Sequence, residues 1–131
     1  MAHVSRFPLL AAGLVGLTGI AFGAFGAHGL QAALAERGTT HAWESAARYQ
    51  MFHAAALLGA AAWLRSATGL AARRVIWAAR CWCVGVLLFS GSLYLLAAGG
   101  PRWLGPITPL GGVAFMAGWL LVALAALARE E

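Results

Sequence analysis

The chain has 131 residues, of which 62% are hydrophobic and only 10% charged. An ordinary globular domain carries about 25% charged residues, so the composition argues against a water-soluble domain and for a membrane-embedded one. The net charge is +5 and every basic residue is an arginine. Arginines scattered over short connections between apolar runs set membrane orientation rather than forming a nucleic-acid surface, and no nucleic-acid partner is expected.

The length gives a single domain, 1–131, and an apolar helix needs roughly 20 residues to cross a bilayer. Four stretches meet that length, at 8–28, 42–64, 76–98 and 105–128. The first follows Arg6, as in a signal peptide, but its apolar run from Phe7 to Leu30 exceeds the usual signal core of about 7–15 residues. We therefore expect a retained helix. Its glycines, Gly13, Gly16, Gly19, Gly23, Gly26 and Gly29, recur every three or four residues. That spacing keeps them on one face, which predicts a close helix contact through Gly16, Gly19, Gly23 and Gly26. His28 closes this stretch.

Leu30, Ala33, Leu34 and Arg37 fit a short amphipathic helix lying at the interface, which Gly38 would end. Thr39 and Thr40 are candidate N-caps for the next helix. In the second span, Tyr49, Gln50 and His53 are separated by offsets of three and four and share one face. The connection 65–74 is short and basic.

The third span opens with Cys81-Trp82-Cys83. Residues two apart on a helix point about 200° away from each other, so these thiols are read as small hydrophobes, neither bridged nor chelating. Ser90, Ser92 and Tyr94 follow late in this span. Gly99-Gly100-Pro101 ends it, and Pro106 and Pro109 sit in the first turns of the fourth, where early N–H groups lack intrahelical partners. Thr108 starts that helix, and Gly111, Ala114, Gly118 and Ala125 form its small-residue line, with Gly118 as the expected packing glycine. Trp43, Trp63, Trp77, Trp82 and Trp103 lie near span ends and suit interfacial belts, whereas Trp119 falls inside a span.

These readings combine into an all-α, four-transmembrane-helix antiparallel bundle with a short interfacial helix between the first and second spans. Placing both termini in the cytoplasm puts Arg6, Arg65, Arg73, Arg74, Arg80 and Arg129 inside, and Arg37, Arg48 and Arg102 outside. The bacterial inner (plasma) membrane is the expected location. In that topology His28, Tyr49, Gln50, His53, Ser90, Ser92, Tyr94 and Thr108 all gather toward the outer side. Intramembrane polar groups are costly and need partners, so this cluster is the candidate ligand-binding site.

Other chemistries find less support. His28 and His53 supply only two metal ligands, and the cysteines lie about 15 Å lower along the axis. A haem- or metal-binding redox component is therefore the weakest reading, with no metal site and no cofactor implied. A pore within one chain lacks polar groups in the cytoplasmic half beyond Thr18 and the cysteines, so transport would require an oligomer. There is no Asp, no Lys, no phosphate-binding loop and no embedded carboxylate, so no catalytic residue is assigned and no enzyme is expected.

Four motifs carry a resemblance. Gly23-Ala24-Phe25-Gly26-Ala27-His28, Tyr49-Gln50 with His53, Leu88-Phe89-Ser90-Gly91-Ser92-Leu93-Tyr94, and Thr108-Pro109 with Gly111-Gly112, Phe115 and Gly118-Trp119 look like the small membrane proteins of domain-of-unknown-function family 423. Its eukaryotic relative is transmembrane protein 256. The resemblance runs from about residue 7 to 122 and implies an integral membrane protein of about four helices without an assigned activity. The functional expectation is a non-enzymatic bundle that binds a small ligand or a partner, with an oligomeric transporter or channel subunit as the alternative. Membrane lipids are the expected surroundings, and a second copy or another membrane protein is the expected partner of its glycine-rich faces.

Overall fold

The computed structural model describes residues 5–128, so Arg129 of the topology argument lies outside the described residues. Within them the chain is entirely helical: α1 (Phe7–Ala27), α2 (Gln31–Arg37), α3 (Thr40–Trp63), α4 (Gly69–Gly85), α5 (Gly91–Ala97) and α6 (Ile107–Ala126). A π turn over Val86–Ser90 joins α4 to α5, and a 3-10 turn over Arg102–Leu104 precedes α6. Three segments are long and apolar enough to cross a membrane: Phe7–Ala27, Gly69–Ala97 and Arg102–Ala126. Their outer faces carry exposed Leu14, Leu17, Ile20, Leu87, Leu120 and similar side chains, as a lipid-facing surface does.

The α3 helix has 24 residues but is not among those apolar segments, because Glu44, Arg48, Gln50 and His53 lower its hydropathy. It is the central element instead. One side packs along α1, and other sides meet α4, the π turn and α5. The α1–α3 contact is built on glycine. A Cβ on Gly26 would strike the Trp43 indole, one on Gly19 would lie 2.6 Å from Met51 Sδ, and one on Gly16 would touch Ala54 at 3.7 Å. Positions that descend along α1 meet positions that ascend along α3, so the two are antiparallel. Gly23 departs from the expected stripe, since nothing lies within 4 Å of its would-be Cβ. It faces a small crevice shared with Thr40, Trp43 and Glu44.

The second antiparallel pair is α4 with α6. Gly118 receives the Trp82 indole, Gly85 receives Phe115, and Gly111 lies against the backbone of Phe89. In a bilayer, lipid tails are as apolar as the core, so close van der Waals contact of this kind, rather than expulsion of water, holds helices together. The π turn belongs to the same contact. Gly91 N–H bonds to Val86 O five residues back, which adds a residue to the turn and swells the helix toward α6, where Gly111 has no side chain in the way.

The connection between α1 and α3 is anchored rather than loose. Gly38 ends α2 with φ 68°, a left-handed conformation that favours glycine. Gly38 N–H bonds to Ala35 O at 3.1 Å and Thr39 N–H to Leu34 O at 2.9 Å, capping the helix. Thr39 takes the N-cap position of α3, but its hydroxyl does not cap that helix. It donates to Ala97 O at 2.8 Å and so ties this connection to the end of α5.

Two tryptophans expected at the interface are interior instead. Trp43 is 6% exposed and Trp82 is 2% exposed, whereas Trp77 and Trp103 are open to the surroundings. The reason is the glycine opposite each: Gly26 and Gly118 make room for a full indole. The cysteines are free and half-buried, consistent with thiols that fill space.

Candidate functional site

The polar residues separate into two networks that leave α3 toward different neighbours, with a third, smaller pair nearby. The first network centres on Gln50, which is 3% exposed. Its Nε2 donates to Val15 O at 3.1 Å and to Thr18 Oγ1 at 2.8 Å. Tyr94 OH donates to Gln50 Oε1 at 2.8 Å. One amide therefore joins α1, α3 and α5. Thr18 passes its own proton to Leu14 O at 2.7 Å, and nearby Ser90 Oγ donates to Ala46 O at 2.7 Å. Above them, Phe22, Trp43 and Tyr94 pack edge-on and tilted as an aromatic lid, with Trp43 and Tyr94 centroids 4.6 Å apart and Phe22 and Tyr94 4.9 Å apart.

The second network centres on His53. Its Nδ1 lies 2.7 Å from Tyr49 O, and its Nε2 lies 3.1 Å from the Trp119 indole nitrogen. A carbonyl only accepts and an indole N–H only donates. The pair of contacts thus assigns a neutral imidazole with the proton on Nδ1 and a lone pair on Nε2 pointed at Trp119. The ring also stacks on Phe115, centroids 3.8 Å apart and 10° from parallel, with Trp82 and Trp119 at its edges. Trp82 itself carries a buried indole nitrogen without a hydrogen-bond partner.

Ser92 and Thr108 make the third contact. Ser92 Oγ donates to Phe89 O at 3.0 Å, so the 2.6 Å hydrogen bond between the two hydroxyls has Thr108 as donor. It fastens α5 to the start of α6.

Gln50 and Tyr94 from the expected cluster are joined directly, with Ser90 beside them. His53 and Tyr49 turn instead toward α6, although they share a helix with Gln50. Tyr49 is 41% exposed and packs its ring on Phe89, centroids 4.7 Å apart, with its backbone oxygen, not its hydroxyl, serving His53. His28 joins neither network: it is exposed at the end of α1. Along the α1–α3 register His53 lies near the level of Gly16, which separates the two histidines by about 18 Å. A haem bridging them has no support in this arrangement. Among the described residues no three His, Cys, Asp or Glu side chains come together as a metal site.

The structure adds two residues to those expected. Thr18 was assigned to the cytoplasmic half, yet it lies nine residues before Ala27, the end of α1, while Gln50 lies ten after Thr40, the start of α3. Counting depth from helix ends would have paired them. Trp119 stood out as the single indole inside a span, and its partner is His53.

These elements also leave an open cleft. At the N-terminal end of α1, Ala11 and Ala12 join the main core with Val75 and Ala79 of α4, and at its other end Phe22 packs on Tyr94. Between them the helices part and leave a cavity of about 350 Å³. Its walls are Leu14, Val15 and Thr18 of α1, and Val86, Leu87 and Gly91 of the π turn and α5, with Gln50 and Ser90 at its base. Exposed Leu14 and Leu87 flank its mouth, so it opens sideways, toward lipid.

A helical chain with membrane-length apolar segments, a buried polar knot and lipid-facing flanks is an integral membrane protein. The family described as "Protein of unknown function (DUF423)" matches residues 22–112, and the chain belongs to it. It is 40% identical over 96 residues to a UPF0382 membrane protein of Staphylococcus haemolyticus, covering 73% of this chain and 75% of the relative. It is 39% identical to the UPF0382 membrane protein YwdK of Bacillus subtilis, covering 64% of this chain and 67% of that one. It is also 40% identical to the UPF0382 inner membrane protein YgdD of Escherichia coli K12, covering 60% and 58%. No solved structure matches the chain.

Proposed function

We propose that this protein is a non-enzymatic binding bundle of the bacterial inner membrane that holds a small ligand in the cavity between α1 and the α4–α5 rod. In this reading α3 is the second of four spans, α2 lies at the outer interface, and both termini are cytoplasmic. The inner-membrane naming of the Escherichia coli relative supports the location. The arginine bias supports the orientation.

One observation carries the ligand reading. A bundle packed closely through Gly16, Gly19, Gly26, Gly85, Gly111 and Gly118 opens a lipid-facing cleft, and that cleft borders the buried Gln50–Tyr94–Thr18 knot. Binding sites are commonly 300–1,000 Å³, mostly apolar, with a few fixed polar groups, and often lie between helices. The same glycines are occupied within the chain, which favours the cavity over a glycine-face partner site. The non-enzymatic assignment rests on the site's contents: two hydroxyls, an amide, a phenol and the Cys83 thiol, without a carboxylate, lysine or available imidazole to act as a base and activate the thiol.

The test is recovery of bound molecules. Protein purified in mild detergent and analysed by native and lipid mass spectrometry should retain a defined small amphiphile. A Gly91→Leu variant should lose it, because the leucine would project into the cavity. Identical molecules recovered in identical amounts from both proteins would refute the proposal.

A further inference from the structure

The hydrogen-bond inventory of the cavity restricts what it can hold, and this inference rests on the binding reading above. Every N–H and O–H of its polar side chains is already committed. Both Gln50 Nε2 hydrogens go to Val15 O and Thr18 Oγ1, the Thr18 hydrogen to Leu14 O, the Tyr94 hydrogen to Gln50 Oε1 and the Ser90 hydrogen to Ala46 O. A hydroxyl has one donor and two acceptor sites, and an amide oxygen accepts twice. Tyr94 Oη, Ser90 Oγ and the second lone pair of Gln50 Oε1 therefore remain as acceptors without donors. The π turn adds to the same bias: when a ladder returns from five-residue to four-residue spacing it passes over a carbonyl, never an N–H.

We infer that the cavity selects an apolar membrane molecule bearing a hydrogen-bond donor, a long-chain or terpenoid alcohol, and discriminates against one whose polar group is a bare carbonyl. A hydroxyl entering from the lipid side donates to Tyr94 Oη or Gln50 Oε1 and completes their coordination. A ketone or quinone oxygen meets oxygens and, at most, the weakly donating Cys83 thiol, so its desolvation goes largely uncompensated. The apolar remainder lies along Leu14, Val86 and Leu87. At about 30 Å³ for each methylene-sized group, the volume holds a segment of roughly a dozen carbons, so a C12 chain is a suitable probe.

The full-length protein in phosphatidylcholine nanodiscs is photolabelled with a C12 alcohol carrying a diazirine, and labelled positions are read by peptide mass spectrometry. Label is expected on the peptides holding Leu14 and Leu87. 1-Dodecanol should compete about three- to tenfold better than 2-dodecanone, the ratio that one hydrogen bond supplies. Gly91→Leu should abolish the competable label, since nothing lies within 4 Å of a Cβ at that position. Leu87→Trp is a second filler should the first fold poorly. Equal competition by alcohol and ketone overturns the donor selectivity and leaves the cavity as a ligand site. Competable label that survives both fillers, or label that neither competitor displaces, overturns the site itself.

Discussion

Gln50 and His53 lie about 60° apart on one helix face, yet Gln50 bonds to α1 and α5 and His53 to α6, and that division sets what each is worth. Replacing Gln50 by leucine strands the Tyr94 hydroxyl and removes two of the hydrogen bonds between α3 and α1. A loss of about 1–3 kcal/mol is expected from a buried group left unsatisfied, toward the low end in a bilayer, where the separated helices find other partners. His53→Leu removes the acceptor of the Trp119 indole and the stack on Phe115, with a similar expected cost. His28→Leu should leave the melting temperature in detergent unchanged, because its side chain is exposed at the end of α1. Equal destabilisation by all three would contradict the placement of His28. The sequence made the separate residues visible because polar groups inside apolar runs are conspicuous. It did not show their grouping. Tyr49, Gln50 and His53 fall within one wide helical face, and only the neighbours, Gly19 on one side and Phe115 on the other, split it.

Helix contacts in this chain are decided by single glycines, and the structure separates glycines that sequence spacing treats alike. Gly19 and Gly23 stand on the same stripe, yet a side chain at Gly19 meets Met51 and Gln50 while one at Gly23 meets nothing. Gly19→Leu should therefore destabilise by about 1–3 kcal/mol through overpacking, and Gly23→Leu should be tolerated. Thermal unfolding of the two variants checks the difference. Gly111→Ala is a stricter case, because the obstacle is the Phe89 backbone, which has no rotamer to change. It should cost more than Gly91→Ala. Deleting Leu88 from the π turn should restore regular α geometry and leave Tyr94 and Ser92 in phase with Gln50 and Thr108, because the turn already absorbs one extra residue. Deleting Ala79 from regular α4 should instead rotate everything beyond it by about 100° and break both contacts. The glycine spacing was readable because a stripe of period three to four has one physical meaning. The π turn was not, since an inserted residue leaves no local signature and is fixed by the contact of Gly111 with Phe89.

At the scale of the whole molecule, orientation is open to direct measurement. Cysteines placed at exposed Glu36 and Arg102 should react with an impermeant reagent from the periplasmic side, and one at Ser66 only after the membrane is opened, with Cys81 and Cys83 first replaced by alanine. Gly38 and Gly69 are poorer probe sites, as their φ values of 68° and 51° would strain a cysteine. Labelling of all three from one side would remove the four-span arrangement. The helical architecture was largely legible, since long apolar runs and glycine-proline breaks dominate the chain. Two of the tryptophans misled because an indole suits both an interface and a deep glycine-lined slot. The choice depends on the opposite helix, which composition alone does not reveal.

The chain also divides at an instructive place. Each antiparallel glycine contact, α1 with α3 and α4 with α6, joins helices that neighbour one another in sequence. What fastens one hairpin to the other is a shared apolar core, in which Leu57 and Ala60 join Val75, Trp82 and Phe115, together with a set of side-chain hydrogen bonds: Thr39 to Ala97, Ser90 to Ala46, Tyr94 to Gln50 and Trp119 to His53. The connection Leu64–Thr68 therefore contributes covalent tethering more than structure. Two separately encoded fragments, divided between Ala67 and Thr68, would each insert as a helical hairpin and find one another in the bilayer. A genetic complementation assay with such halves would then report on the noncovalent contacts between the hairpins, the hydrogen bonds among them. A lesion at Gln50 or His53, mild in the intact protein, would become decisive when no peptide bond holds the halves at high effective concentration.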